Sequence, residues 1–196
     1  MLKIKLFIAL ILVSSLQAYR LDTKVTKDDT GFWGAHYNVP KYSVYTIIAV
    51  TMYEGTESRL GMTSWKALES GVLSQILAEG TKKVTGRERP RNTESASDWG
   101  NADGDSFFSG HVSGMTALVT PYILEYQEDY PAVHALWLLP AYQMVGRVKA
   151  QAHWQSDVIV GALVGFATGY FINSREYPFS LYFDEDKVVL GLKHRF

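Results

Sequence analysis

Apolar positions fall into separated blocks along the chain, and their spacing predicts the elements. Leu6–Val13 is a continuous apolar run, and Tyr42–Tyr53 is apolar enough for a short buried helix closed by Glu54-Gly55. Thr63 is placed to cap a helix whose residues Trp65, Leu68, Val72 and Ile76 recur on one face and whose far end carries Lys82 and Lys83. Gly86–Phe107 is polar, rich in Asn, Asp, Ser and Gly, and reads as a long loop of the functional or mobile kind. Three apolar segments follow, His111–Leu124, Ala132–Val145 and Val158–Ile172, with Pro121 and Pro140 expected to kink or end helices. None of the three reaches the roughly 20 apolar residues of a bilayer span, so they fit the buried helices of a soluble or peripheral bundle. Gly161, Gly165 and Gly169 recur every fourth residue, a spacing that suits close helix packing inside that bundle.

The two ends differ from this pattern. Tyr19–Lys41 mixes polar and aromatic residues without sustained periodicity and reads as an extended arm. Near the other end, Phe179–Phe183 and the alternating Val188, Leu190 and Leu192 flank a polar turn, which predicts a β-hairpin. A terminal Phe196 invites comparison with outer-membrane strands, but two strands cannot close a barrel. The expected layout is therefore a 1–18 leader, a 19–41 arm, a 42–173 helical domain and a 174–196 hairpin. The fold class is an all-α bundle with a small C-terminal hairpin.

Composition changes the picture in three places. A chain of 196 residues supports one domain with a proper core. A net charge of −1 with no basic stripe points away from nucleic acid, and the absence of cysteine excludes disulfides and thiolate metal sites. Lys3 and Lys5, then the Leu6–Val13 run, then small or polar residues to Ala18 form a signal-peptide order. Cleavage after Ala18 would export the protein, most naturally to a Gram-negative periplasm. An uncleaved anchor is the alternative.

The candidate chemistry lies in three stretches. Arg147, His153 and Asp157 stand at the start of the last apolar segment, and the four-residue step from His153 to Asp157 is a same-face helical spacing. A carboxylate on one ring nitrogen leaves the other free as a nucleophile or ligand. Ser109-Gly110-His111 opens a helix after the polar loop, where unpaired amides form a ready anion site, although Ser109 would equally serve as a plain N-cap. Lys82 and Arg89-Pro90 add fixed cations upstream. Asn101, Asp103 and Asp105 do not match a calcium loop and read as solvated turn chemistry. No metal-ligand cluster or cofactor motif is visible. The inventory of cations, backbone cradle and two histidines suits phosphoryl transfer.

Lys82-x6-Arg89-Pro90, Ser109-Gly110-His111 and Arg147-x5-His153-x3-Asp157 together resemble the three-part signature of the type 2 phosphatidic acid phosphatase superfamily. That superfamily includes bacterial acid phosphatases and shares its helical fold with vanadium haloperoxidases; the resemblance covers about residues 65–172. It implies that His153 is the nucleophile, that Asp157 orients it, and that His111 protonates the leaving oxygen. It further implies that Lys82, Arg89, Ser109, Gly110 and Arg147 hold the phosphate of a small phosphomonoester or a lipid (di)phosphate. Two positions depart from the pattern: Phe108 stands where the family has proline, and Gly146 where it has serine. His36, His134 and His194 match no motif and read as structural or surface residues. A vanadate-dependent haloperoxidase and a non-catalytic envelope protein binding anions or lipid are the competing readings. Phe32, Trp33 and Tyr37 in the arm suit peripheral contact with a membrane.

Overall fold

A computed structural model describes residues 21–175, together with 180–184 and 187–191. The proposed leader lies outside these residues. Five helices carry the fold: α1 (Val39–Glu54), α2 (Arg59–Thr85), α3 (Gly110–Tyr126), α4 (Leu138–Lys149) and α5 (Gln155–Asn173). The central pair is α3 and α5, with α2 packed against both. The expected all-α class is the architecture observed over the bundle. The hairpin expected over residues 179–192 falls partly outside the described residues; within them, the backbone of Ser180–Asp184 pairs antiparallel with Lys187–Gly191.

The glycine stripe explains why α3 and α5 sit so close. A Cβ on Gly161 would lie 2.8 Å from the Ser109 carbonyl oxygen, and one on Gly165 would lie 2.2 Å from that of Ser113. One on Gly169 would lie 2.5 Å from the Thr120 Cβ. Any side chain there would push the two backbones apart, and with them the α3 N-terminus and the α5 N-terminus that flank the site.

Several expectations need correction. Helix α2 begins at Arg59 rather than at Thr63. Its cap is Ser58, whose hydroxyl accepts a 3.0 Å bond from the Gly61 amide, and Thr63 lies inside the helix, bonded back to the Arg59 carbonyl at 2.8 Å. Its buried face holds Thr63, Ser64, Ala67, Ser70, Ser74 and Ala78, while Val72 and Ile76 of the predicted apolar face are 61 % and 63 % exposed. The amphipathic rule runs in reverse here: small residues pack inward and large apolar ones face out. Helix α1 exists but is not buried, and its Met52 is 81 % exposed. Helix α5 spans 19 residues, four more than the apolar run alone suggests, and is long and apolar enough to cross a membrane, with a little over half of it buried in the bundle. The arm is extended only to residue 30; helical turns at Gly31–Gly34 and Ala35–Tyr37 lead into α1. Pro121 is accommodated within α3, and Pro140 sits in the first turn of α4, where a missing N–H costs little.

The polar loop is anchored at both ends. Gly86 closes α2 with φ +55, its amide on the Lys82 carbonyl at 2.9 Å; a Cβ there would meet Asn101 oxygen at 2.4 Å. Beyond it, Ser106 N bonds to Arg87 O at 2.9 Å, Arg91 N to Gln151 O at 3.1 Å, and Ser109 N to Asp157 O at 3.1 Å. These bonds tie the loop to the start of α5. Phe107 and Phe108 then enter a core cluster with Ala78, Val160 and Val164, so at the position of the first departure an aromatic ring seals the loop against α2 and α5.

Candidate active site

His153 lies in the loop just before α5, not on the helix, so the expected same-face helical pair does not form. Its ring is buried, and Nδ1 is 2.8 Å from the Ser106 carbonyl oxygen but 3.7 Å from Asp157 Oδ2. A carbonyl only accepts, so Nδ1 carries the proton and Nε2 is left with a free lone pair. The tautomer is therefore set by a backbone carbonyl, with Asp157 supplying charge at slightly longer range. Burial, followed by the charge of Arg147, holds the imidazole down to about 4 against the support of Asp157. His153 is thus neutral at physiological pH.

Asp157 is itself fixed from several directions. As N3 of α5 its carboxylate accepts the Trp154 amide at 2.9 Å, closing the helix N-terminus, and it accepts the Ser106 hydroxyl at 2.5 Å. It also pairs with Arg87, a residue that sequence reasoning missed. Arg87 is 1 % exposed and stacks 4.5 Å over the Trp99 ring. All five of its N–H groups are used: on Asp157, on Asp22 at 2.6 Å, on Ser156 Oγ at 2.8 Å, and twice on the Ala96 carbonyl at 2.8 and 3.3 Å. The one available signal was a second arginine two residues before Arg89. Nothing in local spacing ties it to Asp22.

The remaining cations face the other way. Arg89 makes a two-point pair with Asp105 at 2.5 and 2.6 Å and reaches the Ala152 carbonyl at 3.3 Å. Asp105 is half exposed, as a solvated turn residue would be, and is also the partner that sets the arginine, which in turn holds its carboxyl below the usual range. Lys82 pairs with Glu79 at 2.6 Å, and its Nζ lies 3.6 Å from where a Cβ on Gly110 would be. Arg147 is 4 % exposed, its Nε has no partner, and no carboxylate pairs with it among the described residues. Burial and then the charge of Arg89 pull it down to about 10, still protonated at neutral pH. The Ser109 hydroxyl is fully buried with no hydrogen-bond partner and does not cap α3.

His111 opens onto the cleft at the first turn of α3. Its imidazole is held down to about 3, by desolvation first and then by nearby positive charge, that of Arg147 ahead of that of Lys82. Water reaching the exposed ring relieves the first cause, whereas the surrounding cations are fixed.

The second departure also has a structural reason. A Cβ on Gly146 would lie 2.8 Å from the Cβ and Cγ of His36, a fully buried histidine whose Nδ1 is 2.5 Å from the Trp33 carbonyl oxygen. The space of a serine side chain is filled by an imidazole from the N-terminal segment. His36 is structural, as expected. His134 lies in the 3₁₀ turn Pro131–Trp137, and His194 lies outside the described residues.

Fixed cations, a buried hydroxyl without a partner and an oriented imidazole thus come from neighbouring stretches of the helical bundle. The chain belongs to the PAP2 superfamily, whose family model matches residues 63–178. It is similar to the lipid A 1-phosphatase of Porphyromonas gingivalis, with 27% identity over 167 residues, 81% of this chain and 36% of that protein. No solved structure matches the chain.

Proposed function

We propose that the protein is an exported, membrane-associated phosphatase that hydrolyses a lipid phosphate or diphosphate through a phosphohistidine at His153. The observation that carries the reading is the pairing of two buried polar atoms without hydrogen-bond partners, Nε of Arg147 and the Ser109 hydroxyl, with a histidine whose Nε2 keeps its lone pair. Burying such groups without partners is costly, and a phosphate group would supply what they lack.

In this reading the phosphoryl group sits against Lys82, Arg89, Arg147, the Ser109 hydroxyl and the Gly110 amide, one of the N–H groups left open by α3. Nε2 of His153 attacks phosphorus as the bond to the leaving oxygen breaks, and His111 gives that oxygen its proton. Water then attacks phosphorus with His111 as base, the N–P bond breaks and phosphate departs. The depressed basicity of His111 in the free site fits this order. An arriving phosphate cancels the surrounding positive charge and raises the imidazole, so the proton is taken up with the substrate. Asp157 supports the positive charge that develops on the His153 ring.

Two features favour a lipid over a soluble ester. A groove of about 550 Å³ runs from Gly110 and His111 between α1, α2 and α3, lined by Val72, Met115 and Leu118. The outer faces of α1, α2 and α5 carry exposed Tyr45, Met52, Ile76, Leu163 and Phe171, and the inner face of α2 is made of small residues. That is the packing expected of helices whose surroundings are as apolar as their own side chains. The name of the P. gingivalis relative agrees with a lipid substrate. Export rests on the order of residues 1–18, and N-terminal sequencing of envelope material should begin at Tyr19. The substrate class is tested by comparing phosphatidate and a polyprenyl diphosphate in mixed micelles with nucleotides and sugar phosphates. A higher kcat/KM for the lipid phosphates is expected. Equal or better turnover of the water-soluble esters would overturn the lipid assignment.

A further inference from the structure

The N-terminal segment makes an unusual contribution to the site. Residues 22–28 run antiparallel beside 149–156, the stretch that carries His153. Thr23 N donates to Gln155 Oε1 at 3.0 Å and Gln155 Nε2 returns a bond to Thr23 O at 2.9 Å. Gln151 Nε2 reaches Val25 O at 2.7 Å, and Asp28 N reaches Lys149 O at 2.9 Å. At the head of this strap lies Asp22, whose side chain has no exposed surface. Its Oδ1 accepts the Ser156 amide at 2.7 Å; its Oδ2 accepts the Ser156 hydroxyl at 2.7 Å and Arg87 at 2.6 Å. The strap lies outside the region matched by the family model.

The charge count gives this arrangement a consequence. Arg87 alone would neutralise Asp157, leaving no net charge to support a positive imidazole. A second buried carboxylate on the same guanidinium makes the group net negative by one. We infer that Asp22 is a positioning residue for the proposed reaction: through Arg87 it aims Asp157 and restores the negative charge that His153 needs when it takes on positive charge. The inference rests on the phosphohistidine reading for its kinetic arm only. His153 is faced by Asp157 from α5, by Arg147 from α4, by the Arg89–Asp105 pair from the loop and by His111 from α3, with Arg87 acting through Asp157. Removing one negative charge from this set makes the imidazole harder to protonate.

The test uses the full chain in detergent micelles, with phosphatidate and para-nitrophenyl phosphate as substrates. Asp22→Asn should lower kcat by about tenfold with little change in KM, an effect of transition-state charge rather than binding. The acid limb of its pH–rate profile should move to lower pH, and Asp22→Glu should recover most of the loss. The same displacement should appear without turnover in the pH titration of the His153 ring resonances. The limb and the ring titration decide: an unmoved His153 titration in a folded Asp22→Asn protein overturns the inference, whatever the loss in kcat. If that variant does not accumulate, Arg87→Lys is the second arm. It keeps the charge but cannot fork between two carboxylates, so a several-fold loss of kcat is expected, and wild-type kcat would overturn the positioning role. Wild-type protein inactive on both substrates would instead defeat the phosphatase reading, leaving the ring titration to judge Asp22.

Discussion

Two buried arginines near His153 live under opposite rules. Arg87, on the floor, has every N–H occupied and two carboxylates for its charge. Arg147, at the mouth, is buried almost as deeply and has no carboxylate among the described residues, with its Nε unpartnered. A saturated guanidinium can hold its neighbours in place but has nothing left to offer a ligand. An unsaturated one is poor structure, because a buried charge without a partner costs stability. In the proposed reaction the floor holds His153 and Asp157 still, while Arg147 is left to meet the anion. Ser109 and His111 belong with Arg147 in this division; Asp157, Ser106 and Asp22 belong with Arg87.

Substitutions should separate the two regions. The largest effect on stability is expected at the floor. Arg87→Ala strands two buried carboxylates and should cost about 3–5 kcal/mol, read as a lower chemical-denaturation midpoint. Arg147→Gln should leave the midpoint unchanged or raise it, yet lower kcat/KM roughly 10²–10³-fold, as for loss of a transition-state donor. A large loss of stability in Arg147→Gln would erase the distinction. Ser109→Ala comes next, with kcat/KM reduced by about tenfold and no loss of stability, since no protein partner is abandoned. A fall in stability comparable to the fall in activity would mean that the hydroxyl is structural.

The pH profile gives the smallest but most diagnostic effect. His153 must be neutral to attack, and its imidazole is depressed to about 4, so the acid limb of kcat/KM should lie near that value, where further acid protonates the ring. His111 must carry a proton in the complex, so kcat should fall on the alkaline side at the value to which bound phosphate raises it. A kcat/KM acid limb near an ordinary histidine value would show that His153 is not held as described.

The chemistry was more legible in the sequence than the packing. The three motif stretches carry Lys82, Arg89, Ser109, Gly110, His111, Arg147, His153 and Asp157, which lie at or near helix termini, where local spacing is informative. Arg87 and Asp22 were not legible: 65 residues separate them, and neither belongs to a periodic pattern. His36 was read as structural, but its part in filling the space above Gly146 depends on a fold-level contact across 110 residues of chain. The faces of α1 and α2 were misjudged for a physical reason. Periodicity reports where large apolar residues lie, and burial was inferred from water as the solvent. On α2, Ser, Thr, Gly and Ala pack inward while Val72 and Ile76 point out, which reverses the inference without disturbing the periodicity.

The division between floor and mouth has one direct consequence for the reaction: phosphate should pass through His153 and leave with the help of His111. Rapid quench with a phosphorus-labelled substrate, using one good and one poor leaving group, measures this. The account predicts acid-labile, base-stable label on the wild-type protein and none on His153→Ala. It predicts label on His111→Ala only with the good leaving group, whose oxygen needs little protonation. Asp157→Asn should form the labelled species at an intermediate rate. Label trapped on His153→Ala, or His111→Ala equally inactive with both substrates, would contradict the assignment.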